Sequence, residues 1–171
     1  AASVQGYEFD SAVLSKVLAL DAAEVEEQLE ALERVHAFLR LVSEEGFPNR
    51  ALTQRYRFVH VLYQNALYAS LRPTRKAQLS AAVARALEYD WSEQTASVAG
   101  ALAVLWEAAR EFGRAADYFR LAAQNASRLF AAHEAVALAR RGLAMIQMLP
   151  ETREHKEQGL SLQVVLGTNL I

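Results

Sequence analysis

The sequence predicts a mainly α protein in two parts: a helical domain interrupted by one β-hairpin over residues 1–90, and an array of paired helices over residues 91–171. Three observations carry this. Apolar residues recur at helical spacing almost everywhere. A period-two pattern appears only around the turn-rich segment at Gly46, Pro48 and Asn49. After Trp91 the composition shifts to alanine, with small residues where helices would touch.

Each element follows from its residues. Asp10 is placed to cap a helix carrying Val13, Leu14, Val17 and Leu18. Asp21-Ala-Ala-Glu24 resembles a capping box and opens a second helix, with Val25, Leu29, Leu32 and Val35 or His36 on one face. Phe38–Val42 and Tyr56–Val59 read as the two strands of a hairpin around a long loop, expected to be floppy at its tip. Helical spacing resumes at His60 through Val61, Leu62, Ala66, Leu67 and Leu71, until Arg72-Pro73 interrupts it. Thr74 then caps a helix through Leu79, Val83 and Leu87. Helix, helix, hairpin, helix is the order of a winged-helix domain.

Helices are expected over residues 92–111, 113–129 and 131–149, with a last one opening near Pro150. Gly100, Ala115, Ala122, Ala126, Ala135 and Gly142 mark the contacts. The segment 112–122 spaces alanine, aromatic and alanine as the second helix of a tetratricopeptide repeat does, and a looser echo runs from Ala135 to Leu143. This half reads as a tetratricopeptide-like helical solenoid of divergent units, which would leave a groove for a partner. Both chain ends are abrupt, so a truncated piece of a larger protein is expected.

Charge is distributed in blocks although the net charge is only −2. Residues 1–45 hold ten acids against three bases, residues 46–87 hold seven bases and no acid, and residues 88–171 hold ten acids and eight bases. The first two blocks either fold together and neutralise one another, or the basic block faces an anionic ligand. The helix preceding the hairpin, 22–37, carries five glutamates and a single Arg34. In a major groove it would meet phosphate repulsion unopposed, so nucleic acid is not an expected partner. A mode led by the hairpin would use Arg50, Arg55 and Arg57.

No chemistry of an enzyme is visible. The seven glycines form no phosphate loop, His36, His60, His133 and His155 have no metal-ligand spacing, and no serine sits in a nucleophile elbow. The chain has no cysteine and no long apolar run, so a cytoplasmic setting without a membrane partner is expected. The residue that stands out is His60, at a strand-to-helix junction inside the acid-free block. An imidazole there can donate to a phosphate oxygen beside the free amides of the helix, or it can cap the helix or pack in the core. Arg57 can serve the same anion or lie on a solvated strand face. Tyr56, Phe58, Tyr63 and Tyr68 read as core residues rather than a stacking surface.

With RYRFVHVLYQNALYASLRPTRKAQLSAAVARALE after the Leu-rich helix pair, residues 1–88 resemble the winged-helix region that follows the nucleotide-binding module of bacterial STAND-class signal-transduction ATPases. The segment 98–150 and the helix GLSLQVVLGTNL resemble the tetratricopeptide-like sensor downstream in such proteins. The resemblance implies a non-catalytic regulatory fragment. Its hairpin domain would dock on an upstream nucleotide-binding domain of the same chain, and its repeats would receive a protein or small-molecule signal. The fragment itself would hold no cofactor; ADP and ATP are implied for the parent protein. In related switch ATPases a Met-His-Asp motif at this junction touches the β-phosphate of ADP. Here the triplet is Val59-His60-Val61, and only the histidine matches. The competing expectation is a DNA-binding transcription regulator with a helical effector domain.

Overall fold

The computed structural model describes residues 1–169. It is mainly α with a small three-stranded antiparallel sheet, and it divides into two compact units, the first Ala1–Glu93 and the second beginning at Gln94. No helix among the described residues is long and apolar enough to cross a membrane.

The first unit opens with α1 (Ala2–Gln5), β1 (Glu8–Asp10), α2 (Ser11–Leu18) and α3 (Ala22–Ala31). The hairpin follows as β2 (Leu39–Gly46) and β3 (Leu52–Phe58), then α4 (Val61–Ser70) and α5 (Pro73–Asp90). The expectation of a lone hairpin is corrected by β1. This three-residue strand pairs with β3, which becomes the central strand in the order β1-β3-β2. Three residues are too few to show a period, and only the β3 edge turns them into a strand. Alternation along β3 sends Tyr56 and Phe58 into the core with Phe9, Leu14, Val25, Leu29 and Leu39, and leaves Arg55 and Arg57 on the other face.

Three local expectations change and one holds. Asp10 occupies the N-cap position of α2 but makes no capping bond, because its carboxylate is engaged by Arg55. Asp21 does cap α3, accepting from the Ala23 amide at 2.9 Å. The end of that helix, Leu32–His36, is a π-turn, closed by Ala37 in the left-handed region (φ 50°). Val25 and Leu29 are buried while Leu32 and Val35 face outward. The wider turn shifts the phase of Val35 and His36; the Leu32 amide still bonds the Gln28 carbonyl as in an α-helix, so its exposure is not a phase effect. Pro73, not Thr74, begins α5; its missing N–H and fixed φ suit the first helical position.

The strands run further than the sequence pattern suggests, and the loop between them is held rather than floppy. Phe47 N–H donates to the Ala51 carbonyl at 2.9 Å, Arg50 takes φ 66°, and Asn49 donates to Asp90 at 2.9 Å. Phe47 also meets Trp91 edge-on at 6.2 Å. Asp90, fully buried, pairs with Lys16 of α2 through the same oxygen. The loop, α2 and the end of α5 therefore converge on one carboxylate.

The second unit holds a 3-10 turn at Thr95–Val98, then α6 (Ala99–Ala108), α7 (Phe112–Arg128), α8 (Ala132–Gln147) and α9 (Arg153–Asn169). The helix expected from residue 92 thus starts at Ala99, and the one expected near Pro150 starts at Arg153. Each helix packs on the next, and α7 also on α9. The two turns joining α6–α7 and α7–α8 have one geometry repeated twenty residues apart. Arg110 and Phe130 take φ 64° and 59°, and the Glu111 and Ala131 amides reach back to the Trp106 and Ala126 carbonyls at 3.0 and 2.9 Å. These turns recur at the same twenty-residue interval as the sequence echo.

Packing in this unit depends on small side chains. Ala115, Ala135 and Ala139 are wholly buried, and a Cβ on Gly142 would lie 2.8 Å from Leu162 and 3.1 Å from the Phe119 Cβ. Gly100, also expected at a helix contact, instead has nothing within 4 Å of its missing Cβ. Gly142→Ala should therefore destabilise the protein by about 1–3 kcal/mol through overpacking. Gly100→Ala should be neutral or stabilise it by up to about 1 kcal/mol, because helical glycine is entropically costly. Urea unfolding of the two variants checks both signs.

Candidate functional site

The strand-to-helix junction at the end of β3 is built by the core beneath it. Tyr56 and Phe58 anchor β3, and the Val59 amide donates to the Phe38 carbonyl at 2.9 Å, which extends the hairpin to the point where α4 begins. His60 follows with extended backbone and caps α4: the Leu62 amide donates to its Nδ1 at 3.1 Å. A ring nitrogen that accepts has no proton, so the neutral ring carries its hydrogen on Nε2. That nitrogen makes no hydrogen bond among the described residues, and the ring is exposed. Capping and anion binding, alternatives at the level of sequence, are thus compatible: one nitrogen holds the helix and the other faces outward as a donor.

Arg57 lies on the face of the sheet opposite the core. Its cross-strand neighbours are Glu8 on β1 and Arg40 on β2, directly opposite it. Two like charges in such a pair repel. Neither Arg40 nor Arg57 has an ion-pair partner among the described residues, and no hydrogen bond or ring contact joins Arg57 to His60. Arg40 escaped the sequence reading; the pairing register of the hairpin, once known, places it.

Arg55 is used differently. Its Nε and Nη2 donate to the two oxygens of Asp10 at 3.2 and 3.3 Å, and Nη1 lies 3.2 Å from Glu45. Partial burial opposes its charge, but Asp10, Glu45 and Glu8 outweigh that and hold its pKa above the ordinary arginine value. Burial pushes the Asp10 carboxyl up, and Arg55 offsets this without cancelling it. A hairpin-led contact with DNA therefore lacks one of its three expected arginines, because Arg55 is already engaged by Asp10 and Glu45.

Two of the four aromatic residues assigned to the core are there. Tyr56 is inaccessible to solvent, its hydroxyl donating to Gln54 at 2.9 Å, and burial with the surrounding glutamates raises its pKa to about 12. Phe58 is buried beside Phe9 at 5.3 Å. Tyr63 departs from the expectation: it is 43% exposed and joins a run of rings. His36 stacks on Phe38 at 5.7 Å, Phe38 meets Tyr63 at 5.1 Å, and Tyr63 meets His60 at 6.4 Å. Tyr68 is half-buried under the Lys76 ammonium, 3.9 Å from its centroid.

No residue of α4 is buried. Its ten residues carry no charge, yet Val61, Leu62, Tyr63 and Leu67 all face outward. On one side of α4 lies a groove of about 390 Å³ bounded by α3, the strand ends and α1, and lined by Leu29, Leu32, Phe38, Leu67 and Leu71. Ala1, Ala2 and Ser3 form one end of it. A larger cavity of about 580 Å³ lies in the second unit between α8 and α9, floored by Leu143, Ile146 and Leu160. Among the described residues, no group of three or more histidine or carboxylate side chains is placed to hold a metal ion.

Compared with protein-family models, with curated proteins and with solved structures, the chain matches none.

The Asp10 carboxyl gives the site a pH signature. Its pKa is higher folded than its ordinary 3.8, so folding takes up a proton near that pH. Its contribution to stability is therefore greatest below about pH 3.8 and is lost as pH rises through its raised folded value. The difference in unfolding free energy between the wild type and Asp10→Asn should fall over that interval and be flat above it. Urea titrations at a series of acidic pH values check the slope.

Proposed function

We propose that this chain is a non-catalytic regulatory fragment of a STAND-type signalling ATPase. In this reading the first unit is a winged helix that docks on a nucleotide-binding module of the same polypeptide. The second unit is a tetratricopeptide-like platform that receives a protein or small-molecule signal. Binding of that signal would bias the module between ADP- and ATP-bound states by favouring one of them.

The observation that carries this reading is α4. An uncharged, apolar helix with no buried residue leaves Val61, Leu62 and Tyr63 facing outward beside a histidine whose Nε2 makes no hydrogen bond among the described residues. A contiguous exposed apolar surface marks an interaction site, and a histidine donor at a helix N-terminus suits a phosphate delivered by the docked partner. Two further observations support it. The helix before the hairpin has its Val25 and Leu29 in the core and its glutamates outside, which disfavours the DNA-binding alternative. The recurrent turn of the second unit, with buried alanines at its helix contacts, supports a repeat-like array.

The two roles of His60 are separable. In the parent protein, His60→Asn keeps a good N-cap and should leave stability nearly unchanged, but it loses the outward ring donor. ADP release should accelerate about tenfold or more in both His60→Asn and His60→Ala, the loss expected for one hydrogen bond to a charged phosphate. Stopped-flow release of a fluorescent ADP measures this. Unchanged release from a folded His60→Asn protein would remove His60 from the nucleotide site.

A further inference from the structure

The inward nitrogen of His60 ties the start of α4 to a single proton. The Leu62 amide donates to Nδ1 at 3.1 Å, and a ring nitrogen accepts only while it is unprotonated. A proton there sets two N–H groups against each other. It also leaves a cation at a helix N-terminus, where the macrodipole opposes it. The cap is therefore complete on the alkaline side of the ring's titration and lost on the acid side. Histidine is the side chain that changes charge between about pH 5 and 8.

Little else holds this end of the helix. No residue of α4 is buried, so tertiary packing, the usual source of helix stability, contributes little here. The first turn contains no acid to favour the dipole, and Val61 and Tyr63 are mediocre helix formers. The remaining link is the Tyr63 amide, which donates to the His60 carbonyl at 3.0 Å.

Nor do the neighbours hold a charged ring in place of the lost bond. The elements packed most closely on α4 are α1 and β3. Helix α1 has no ionisable side chain, though the Ala1 amino group precedes it; β3 carries Arg55 and Arg57. Tyr63 meets the His60 ring at 6.4 Å, and Phe38, with His36 stacked on it, meets Tyr63. The π-turn adds Arg34 and Glu33, and Glu33 is already engaged by the Leu41 amide at 3.1 Å. No carboxylate forms an ion pair with His60 among the described residues.

We propose that His60 is a proton switch on α4: the neutral ring fixes the first turn of the helix, and the protonated ring releases it. Acid thereby dissolves the ordered apolar surface that Val61, Leu62 and Tyr63 present. The switch rests on the cap alone and operates whether or not a nucleotide-binding module docks on α4.

Nuclear magnetic resonance of the complete 171-residue chain follows ring and helix in one titration. Across the histidine range, about pH 8 to 5, the Leu62 amide proton should shift with the same midpoint as the His60 ring. The Cα shifts of Val61, Leu62 and Tyr63 should move toward coil values with that midpoint, while those of the last turn of α4 hold. His60→Asn supplies a cap that does not titrate, so its first turn should stay helical throughout. His36→Asn should keep the wild-type response, which separates the cap from the second histidine of the ring run. The proposal is overturned if the His60 ring stays neutral to pH 5, or if residues 61–63 remain helical once it is protonated. It is equally overturned if His60→Asn retains the acid response or His36→Asn abolishes it. ADP release at neutral pH reads the outward nitrogen and this titration the inward one, so the two roles of His60 fail separately.

Discussion

The first unit depends on the central position of β3. One strand, paired on both edges, is asked to satisfy a core and a charged face at once. Alternation does this: Tyr56 and Phe58 meet Phe9 on the inside, while Arg55 and Arg57 stand on the outside opposite Asp10, Glu8 and Arg40. A slip of one residue would exchange the two sets and bury two guanidinium groups, so register is strongly specified. Everything at the candidate site inherits that register. The end of β3 determines where His60 sits, His60 caps α4, and α4 is thereby held with its apolar residues outward.

Charge organises the rest of this unit in a less symmetrical way. Among the described residues, the acidic and basic blocks pair through Arg55 with Asp10 and Glu45. Arg57, Arg72 and Arg75 have no carboxylate partner among the described residues, so the basic block is largely left facing outward. The buried Asp90 receives Lys16 and Asn49 on one oxygen, while its other oxygen has no hydrogen-bond partner among the described residues. A buried ion pair contributes little net stability but is costly to break, which suits a joint that holds the hairpin loop and α2 against the end of α5.

Much of this was legible in the residues, and the exceptions have identifiable causes. The helices, the hairpin and the N-cap at Asp21 follow from spacing and capping chemistry. The strand β1 was missed because three residues show no period. A stripe read at 3.6 residues per turn assumes an α-helix throughout, and the π-turn shifts the phase of Val35; Leu32 keeps α-helical phase and lies uncovered at the edge of a groove. Asp10 looked like a cap because the competing partner, Arg55, is 45 residues away in the chain. At the site, His60 and Arg57 were found from charge and position. Arg40, Phe38 and the outward face of Tyr63 required knowledge of register and of what α4 packs against.

The sequence by itself determined what each segment prefers: helix or strand, where each begins, and that an acid-free block surrounds His60. These are local properties, set by backbone sterics, side-chain spacing and capping within a few residues. Tertiary structure decided what each segment meets. It made β3 central, spent Arg55 on Asp10, left Arg57 opposite Arg40, and left an apolar α4 uncovered. Those outcomes arise from pairings between residues far apart in the chain, and a pattern confined to a single segment carries no information about its distant partner.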